Sequence, residues 1–196
     1  MITRQTTKEI LAASIMELAK RKSVDKITVK EIAGNCNLTS PTFYHHFQDK
    51  YQLLAWIYNR KLEALFTSAS GIVSWHQMLM AVCSPLQDNR AFYSNVLKNT
   101  AGQTSFRYRT NDYAIALLVK CLQECNGGKK LPADILFFLR FYMRACSETI
   151  NDWFLEGEKI SLEELTALLD AAMPEPLEPY LKPQPGLAAG NLQNGF

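Results

Sequence analysis

No stretch of these 196 residues stays apolar long enough to cross a bilayer, and the first residues are polar and charged, without the apolar centre of a signal peptide. Secretion and membrane spanning are therefore not expected, and the chain reads as cytoplasmic. Cysteine is sparse and odd in number. Cys36, Cys83, Cys121, Cys125 and Cys146 lie inside amphipathic segments with no C-x-x-C and no framework spacing, the pattern of reduced, buried thiols. Neither a Gly-rich phosphate loop nor a nucleophile elbow occurs. Cys121 and Cys125 share a helical face, but no His or acid cluster accompanies them. His45 and His46 are adjacent, so on a helix they point about 100° apart and do not chelate one metal together. Asp152, Glu156 and Glu158 read as a solvated helix end rather than an acid–base pair. No catalytic residue, metal or cofactor is expected, and an enzyme is the least favoured class. Strand-like alternation and internal repeats are also missing, which leaves an all-α chain whose 47% hydrophobic content suffices for a core.

The informative segment runs from Thr28 to Lys50, TVKEIAGNCNLTSPTFYHHFQDK. Thr28 and Glu31 have the T-x-x-E spacing of a capping box, so a helix starts near Val29 and buries Val29, Ile32, Ala33 and Cys36 on one stripe. Asn37 tolerates the left-handed conformation of a tight turn, Thr39 caps the next helix, and Pro41 is acceptable in its first turn. Leu38 and Phe43 occupy the positions of a hydrophobic staple, and Phe43 and Phe47, four apart, point inward. That leaves Thr39, Ser40, Pro41, Thr42, Tyr44, His45 and His46 for an outer face that carries no acid. Asp49 and Gln52 repeat the capping pattern, so a third helix starts at Lys50 with Leu53, Leu54, Ile57 and Tyr58. Two short capped helices joined by a tight turn form a helix-turn-helix, whose second helix enters the major groove of DNA. Charge agrees. Residues 1–60 hold nine Lys or Arg against five Asp or Glu, a net of +4, while residues 61–196 have a net of −2.

At Thr28, Val29, Ile32, Ala33, Leu38, Thr42, Phe43, Tyr44, Phe47, Lys50 and Leu53 the sequence resembles the TetR family of transcriptional regulators. Within it, the KITV start, the TFYHHFQDKYQLLAWIY run and the later GQTSF segment are similar to the branch that includes regulators of dihydroxyacetone kinase operons. The N-terminal resemblance covers roughly residues 6 to 60. Ser23 and Asn37 stand where many members have Gly, and both turns are expected to survive.

The periodicity predicts helices near 5–22, 28–35, 39–46, 49–67, 74–82, 85–99, 104–125, 132–156 and 161–172, with breaks at Gly71, Ser84-Pro85, Gly102, Asn126-Gly127-Gly128 and Gly157. The domain division expected is 1–60 for the DNA-binding helices, 61–173 for a helical regulatory and dimerisation domain, and 174–196 for a Pro-rich tail, extended or disordered. The helix from Pro132 carries Ile135, Leu139, Tyr142, Cys146, Ile150 and Trp153 on one stripe, broadened by Leu136, Phe138, Met143 and Phe154, so it must bury two sides. Both sides could pack within the monomer. The resemblance instead implies a two-fold four-helix dimer interface, for which the candidates are Ile135, Leu139, Cys146, Ile150, Trp153, Leu165 and Leu169. The resemblance also implies an effector pocket, with candidates Trp75, Phe92, Tyr93, Phe106, Tyr113, Phe138 and Tyr142, although such aromatics also serve as plain core. The effector, a small molecule or a protein, is not legible.

The expected function is a homodimeric regulator that binds double-stranded DNA. By analogy with the motif, Thr28, Thr42, Tyr44 and Lys50 suit phosphate oxygens, whereas Ser40, Pro41 and His45 suit base edges or thymine methyls, with Thr39 and His46 on the same face. The alternative is an adaptor of the same fold that binds a partner regulator and has weak DNA affinity of its own.

Overall fold

The computed structural model describes residues 5–67, 74–102, 105–157 and 159–182. Among them every regular element is a helix: α1 (Thr7–Leu18), a 3-10 turn (Val24–Lys26), α2 (Val29–Asn35), α3 (Ser40–His46), α4 (Lys50–Thr67), α5 (Trp75–Asp88), α6 (Arg90–Lys98), α7 (Phe106–Cys125), α8 (Ala133–Glu156), α9 (Leu162–Ala171), a second 3-10 turn (Glu175–Leu177) and α10 (Glu178–Leu181). The chain forms two compact units, residues 1–60 with 89–110, and residues 61–88 with 111–196.

Local chemistry sets the helix starts of the first unit. Thr6 with Glu9 and Thr28 with Glu31 form complete capping boxes, and the Thr39 hydroxyl accepts from the Thr42 N–H. Asp49 Oδ1 accepts from the Gln52 N–H at 2.6 Å, while the Gln52 side-chain Oε1 accepts from the Gln48 N–H at 2.6 Å. α2 ends with the Leu38 N–H on the Ala33 carbonyl at 2.9 Å and the Asn37 N–H on the Gly34 carbonyl at 3.2 Å, the paired bonds of a Schellman turn. Asn37 has φ 57°, the left-handed conformation expected of it. Ser23 needs no such tolerance, because its φ of −67° is open to any residue.

Leu11, Ile15, Ile27, Ile32, Phe43, Leu53, Leu54 and Tyr93 form the buried centre of this unit. Each contributes about 1.5–3 kcal/mol of apolar burial. α6 belongs here although it lies beyond residue 60, and Asn95 is the polar reason. Its Nδ2 donates to the carbonyls of Ala19 at 2.8 Å and Lys22 at 2.9 Å, and its Oδ1 accepts from the Val24 N–H at 3.1 Å. One side chain thereby serves the backbone that leaves α1 and enters the 3-10 turn. The compact units thus depart from the division by chain order.

In the second unit α5 packs against α9, and the Tyr142 hydroxyl in α8 accepts from Trp75 Nε1 at 3.0 Å while donating to the Leu169 carbonyl at 2.7 Å. That carbonyl belongs to the last turn of α9, where no intrahelical N–H remains for it. Gly157, at φ 98°, ends α8 in the left-handed conformation, and Trp153 Nε1 donates to the Ile160 carbonyl beyond it at 2.8 Å.

Two expectations need correction. The break at Ser84-Pro85 does not occur, since α5 continues to Asp88 and the turn falls at Asn89; burial of Pro85 beside Cys83 and Leu86 offsets the backbone bond it lacks. The segment from 174 is not extended throughout. Pro176 and Pro179 sit in the first turns of a 3-10 turn and of α10, where a missing N–H costs nothing, and Leu177 and Leu181 are buried. Residues 183–196, and the break placed at Gly71, lie outside the described residues. Ile135, Leu139, Cys146, Ile150, Trp153, Leu165 and Leu169 are all buried within the single chain and belong to the core of the second unit.

Candidate nucleic-acid interface

α3 is held at both ends and from below. Thr39 caps its start, Phe47 terminates it with an N–H on the Phe43 carbonyl at 3.0 Å, and Phe43 is fully buried. The Phe43, Phe47 and Trp56 rings stack onward with centroids 5.8 Å apart at each step, which anchors the helix on α4. What remains outside is the acid-free face. Pro41, Tyr44 and His45 are exposed, Tyr44 at 58%, while Ser40, Thr42 and His46 are half-buried. The His45 and His46 rings meet edge-on at 5.0 Å, and no group of three or more His, Cys, Asp or Glu among the described residues is placed to hold a metal. Thr39 and Thr42 share one hydrogen bond between their hydroxyls at 2.9 Å, so one of the two hydroxyl hydrogens stays available for an external acceptor.

Thr28 and Lys50 also make bonds within the first unit. The Thr28 hydroxyl is held by the Glu31 carboxylate at 2.8 Å, within its capping box. Lys22 at 2.7 Å, together with the Thr28 backbone, holds that carboxyl down to about 2, so an ionised but paired carboxylate stands beside Thr28. Lys50 Nζ donates to the carbonyls of Asp25 at 2.5 Å and Ile27 at 2.7 Å, and partial burial lowers its pKa. Two of its three donors thus tie the first turn of α4 to the 3-10 turn. Sequence patterns cannot show this, because the acceptors lie more than twenty residues away.

Electrostatics sharpen once the compact units are known. Residues 89–110 hold Arg90, Lys98, Arg107 and Arg109 and no acid, so the first unit has thirteen basic residues against five acidic, a net of +8, and the second a net of −6. Arg109 is also the partner of Asp49, at 3.1 Å, the acid immediately after the α3 face. Neutralising that carboxylate removes a repulsion for phosphate beside the reading helix.

The aromatic residues expected to line one pocket divide between the units. Phe92, Tyr93 and Phe106 pack with Tyr58 in the first, at centroid distances between 5.1 and 5.9 Å. Trp75 and Tyr142 are buried partners in the second, Tyr113 donates to Glu63, and Phe138 lies edge-on to Phe137.

A domain model described as bacterial regulatory proteins of the tetR family matches residues 10–57, and one described as a transcriptional regulator C-terminal region matches residues 73–174, more than half of the chain. The chain belongs to the TetR family of transcriptional regulators. Among curated members, it is 27% identical over 90 residues to the dhaKLM operon transcriptional activator DhaS of Lactococcus lactis, covering 46% of this chain and 48% of that one. The chain thus spans about half the length of that activator. It is 23% identical to the transcriptional repressor KstR2 of Mycolicibacterium smegmatis, over 77% of this chain and 82% of the repressor, and 25% identical to the TetC protein of transposon Tn10 from Escherichia coli, over 77% and 78%. The solved structure of a dihydroxyacetone kinase operon activator, DhaS, superposes with a TM-score of 0.59 at 20% identity, covering 89% of this chain and 98% of that one, which supports the fold. Membership favours a TetR-type regulator over the adaptor reading. DNA binding and dimerisation belong to the family, and no helix among the described residues is long and apolar enough to cross a membrane.

Proposed function

We propose that this regulator works in the cytoplasm as a homodimer, reading a pseudo-palindromic operator with α3 of each protomer under the control of an effector. The observation that carries the reading is the capped, acid-free face of α3 on a unit of net charge +8. Ser40, Pro41 and His45 are assigned to base edges and thymine methyls, and Thr39, Thr42 and Tyr44 to phosphates; His46 lies at the edge of the set. Thr28 and Lys50 are assigned to positioning as well, which engages the Thr28 hydroxyl and two of the three Lys50 donors. Two reading helices one DNA turn apart, roughly 34 Å, suit a two-fold operator.

The second copy meets a flank of α8 and α9 other than the buried stripe. Phe137 and Phe141, one turn apart on α8, are 65% and 62% exposed, and Leu168 on α9 is 58% exposed. Large exposed apolar side chains at i and i+4 suit burial against the same surface of a partner. No turnover is expected of the protein.

The test is fluorescence anisotropy of purified protein with duplexes tiled across the DNA flanking its gene, at two salt concentrations. A tight, sequence-dependent and salt-sensitive complex supports the reading. Tyr44→Ala should then weaken all duplexes alike, whereas His45→Ala should change the preference between operator and scrambled DNA. Uniformly weak binding to every duplex would move the assignment to a partner-dependent adaptor.

A further inference from the structure

The basic residues of the first unit extend past the helix-turn-helix. Lys50 bonds fasten the 3-10 turn to the first turn of α4, the helix that follows α3 in the chain. Asn95 then seats the end of α6 on the same segment, through Ala19, Lys22 and Val24. Lys98 follows Asn95 by three residues, which places it on the adjoining face of the last turn of α6. Lys20, Arg21 and Lys98 are all exposed, and none has an ion-pair partner among the described residues. Lys22, by contrast, is neutralised by Glu31. Exposed, unpaired cations on a long stem lose much rotamer freedom when fixed, so a strip of them fits a polyanion that offers many equivalent phosphates.

We propose that Lys20, Arg21 and Lys98 form a second contact with the DNA backbone, taking phosphates of the duplex that flanks the half-site read by α3. The assignment rests on the DNA-binding reading above and deepens it: a segment distant in sequence from the helix-turn-helix extends the footprint. The occupant is double-stranded DNA rather than an acidic protein, because these cations belong to the same compact unit of net charge +8 that carries α3. The contact is sequence-independent, since all three groups are point or fork cations suited to phosphate.

The experiment compares wild type, Lys98→Gln, the triple variant Lys20→Gln/Arg21→Gln/Lys98→Gln and His45→Ala on two duplexes, the operator alone and the operator with ten extra base pairs on each side. On the long duplex, log affinity against log salt should flatten by about 0.9 for each lost contact, near 1 for Lys98→Gln and near 3 for the triple variant, per protomer. Lys98→Arg should keep the wild-type slope. The trimmed duplex should show little difference between wild type and the triple variant, whereas His45→Ala should alter preference on both lengths. Equal slopes for wild type and the triple variant on the long duplex, with specific binding intact, would overturn the second contact and leave the reading helix standing. A wild-type protein without salt-dependent binding to any duplex would overturn both.

Discussion

Replacing Asn95 by Ala tests how the first unit is held together. The side chain makes two half-buried bonds, Nδ2 to the Ala19 carbonyl at 2.8 Å and Oδ1 from the Val24 N–H at 3.1 Å, and a third, to the Lys22 carbonyl, that water can reach. A further bond from Asn99 Nδ2 to Asn95 Oδ1, at 2.9 Å, helps fix the amide. Each half-buried bond to the other segment contributes about 1 kcal/mol net and the exposed one close to nothing, while Asn99 Nδ2 keeps its bond to the Asn95 backbone carbonyl at 2.8 Å, so the loss is about 2 kcal/mol. In a chain of this length that lowers the thermal midpoint by about 4–8 °C. Circular dichroism melts of wild type, Asn95→Ala and Asn95→Asp read it directly. Asn95→Asp should be worse than Ala, because it keeps the acceptor for Val24 but turns a carboxylate toward two carbonyls. DNA affinity should fall in parallel, since α6 supports the segment that Lys50 fastens to α4. A midpoint for Asn95→Ala within 1 °C of wild type would refute the reasoning and show that water replaces every bond the side chain makes.

Glu31, held down to about 2 from an ordinary 4.5 by Lys22 and the Thr28 cap, contributes stability that is complete above pH 4.5 and fades as the pH falls toward 2. Melts of wild type and Glu31→Gln should therefore differ at pH 6 and converge across that window; a gap that ignores pH would argue against the ion pair. Phe141→Asp should shift sedimentation toward the monomer while leaving the helical signal unchanged, because 62% of this side chain already lies outside the chain's own core. Burial pushes the thiols of Cys83 and Cys146 up to about 12 and about 11, whereas Cys125 is exposed. Alkylation at pH 8 read by mass spectrometry should accordingly modify Cys125 in the native protein and spare the other two until denaturant is added.

The reading helix was legible in the sequence because capping chemistry is local. Thr28 with Glu31, Thr39 with Thr42 and Asp49 with Gln52 lie within three residues of each other, and Asn37 needs only its own conformational tolerance to close the turn. The role of Lys50 was not legible, because its acceptors, Asp25 and Ile27, come from the preceding 3-10 turn. The aromatic residues expected of a pocket were harder still: an aromatic at helical spacing looks the same whether it packs against Tyr58 in one unit or bonds Trp75 to Tyr142 in the other.

By itself the sequence determined an all-helical chain, its capped helix-turn-helix, the inward and outward faces of α3, the left-handed turn at Asn37 and the helix break at Gly157. All of these follow from backbone groups satisfied by side chains only a few residues away. Tertiary structure alone decided that Asn89–Thr110 joins the N-terminal helices, raising that unit to a net charge of +8, and which side of α8 is core. A helix apolar on two flanks carries no local mark of which flank its own chain will cover. In α8 the monomer covers Ile135, Leu139 and Cys146 and leaves Phe137 and Phe141 outside, a choice fixed only by the area its neighbours can bury.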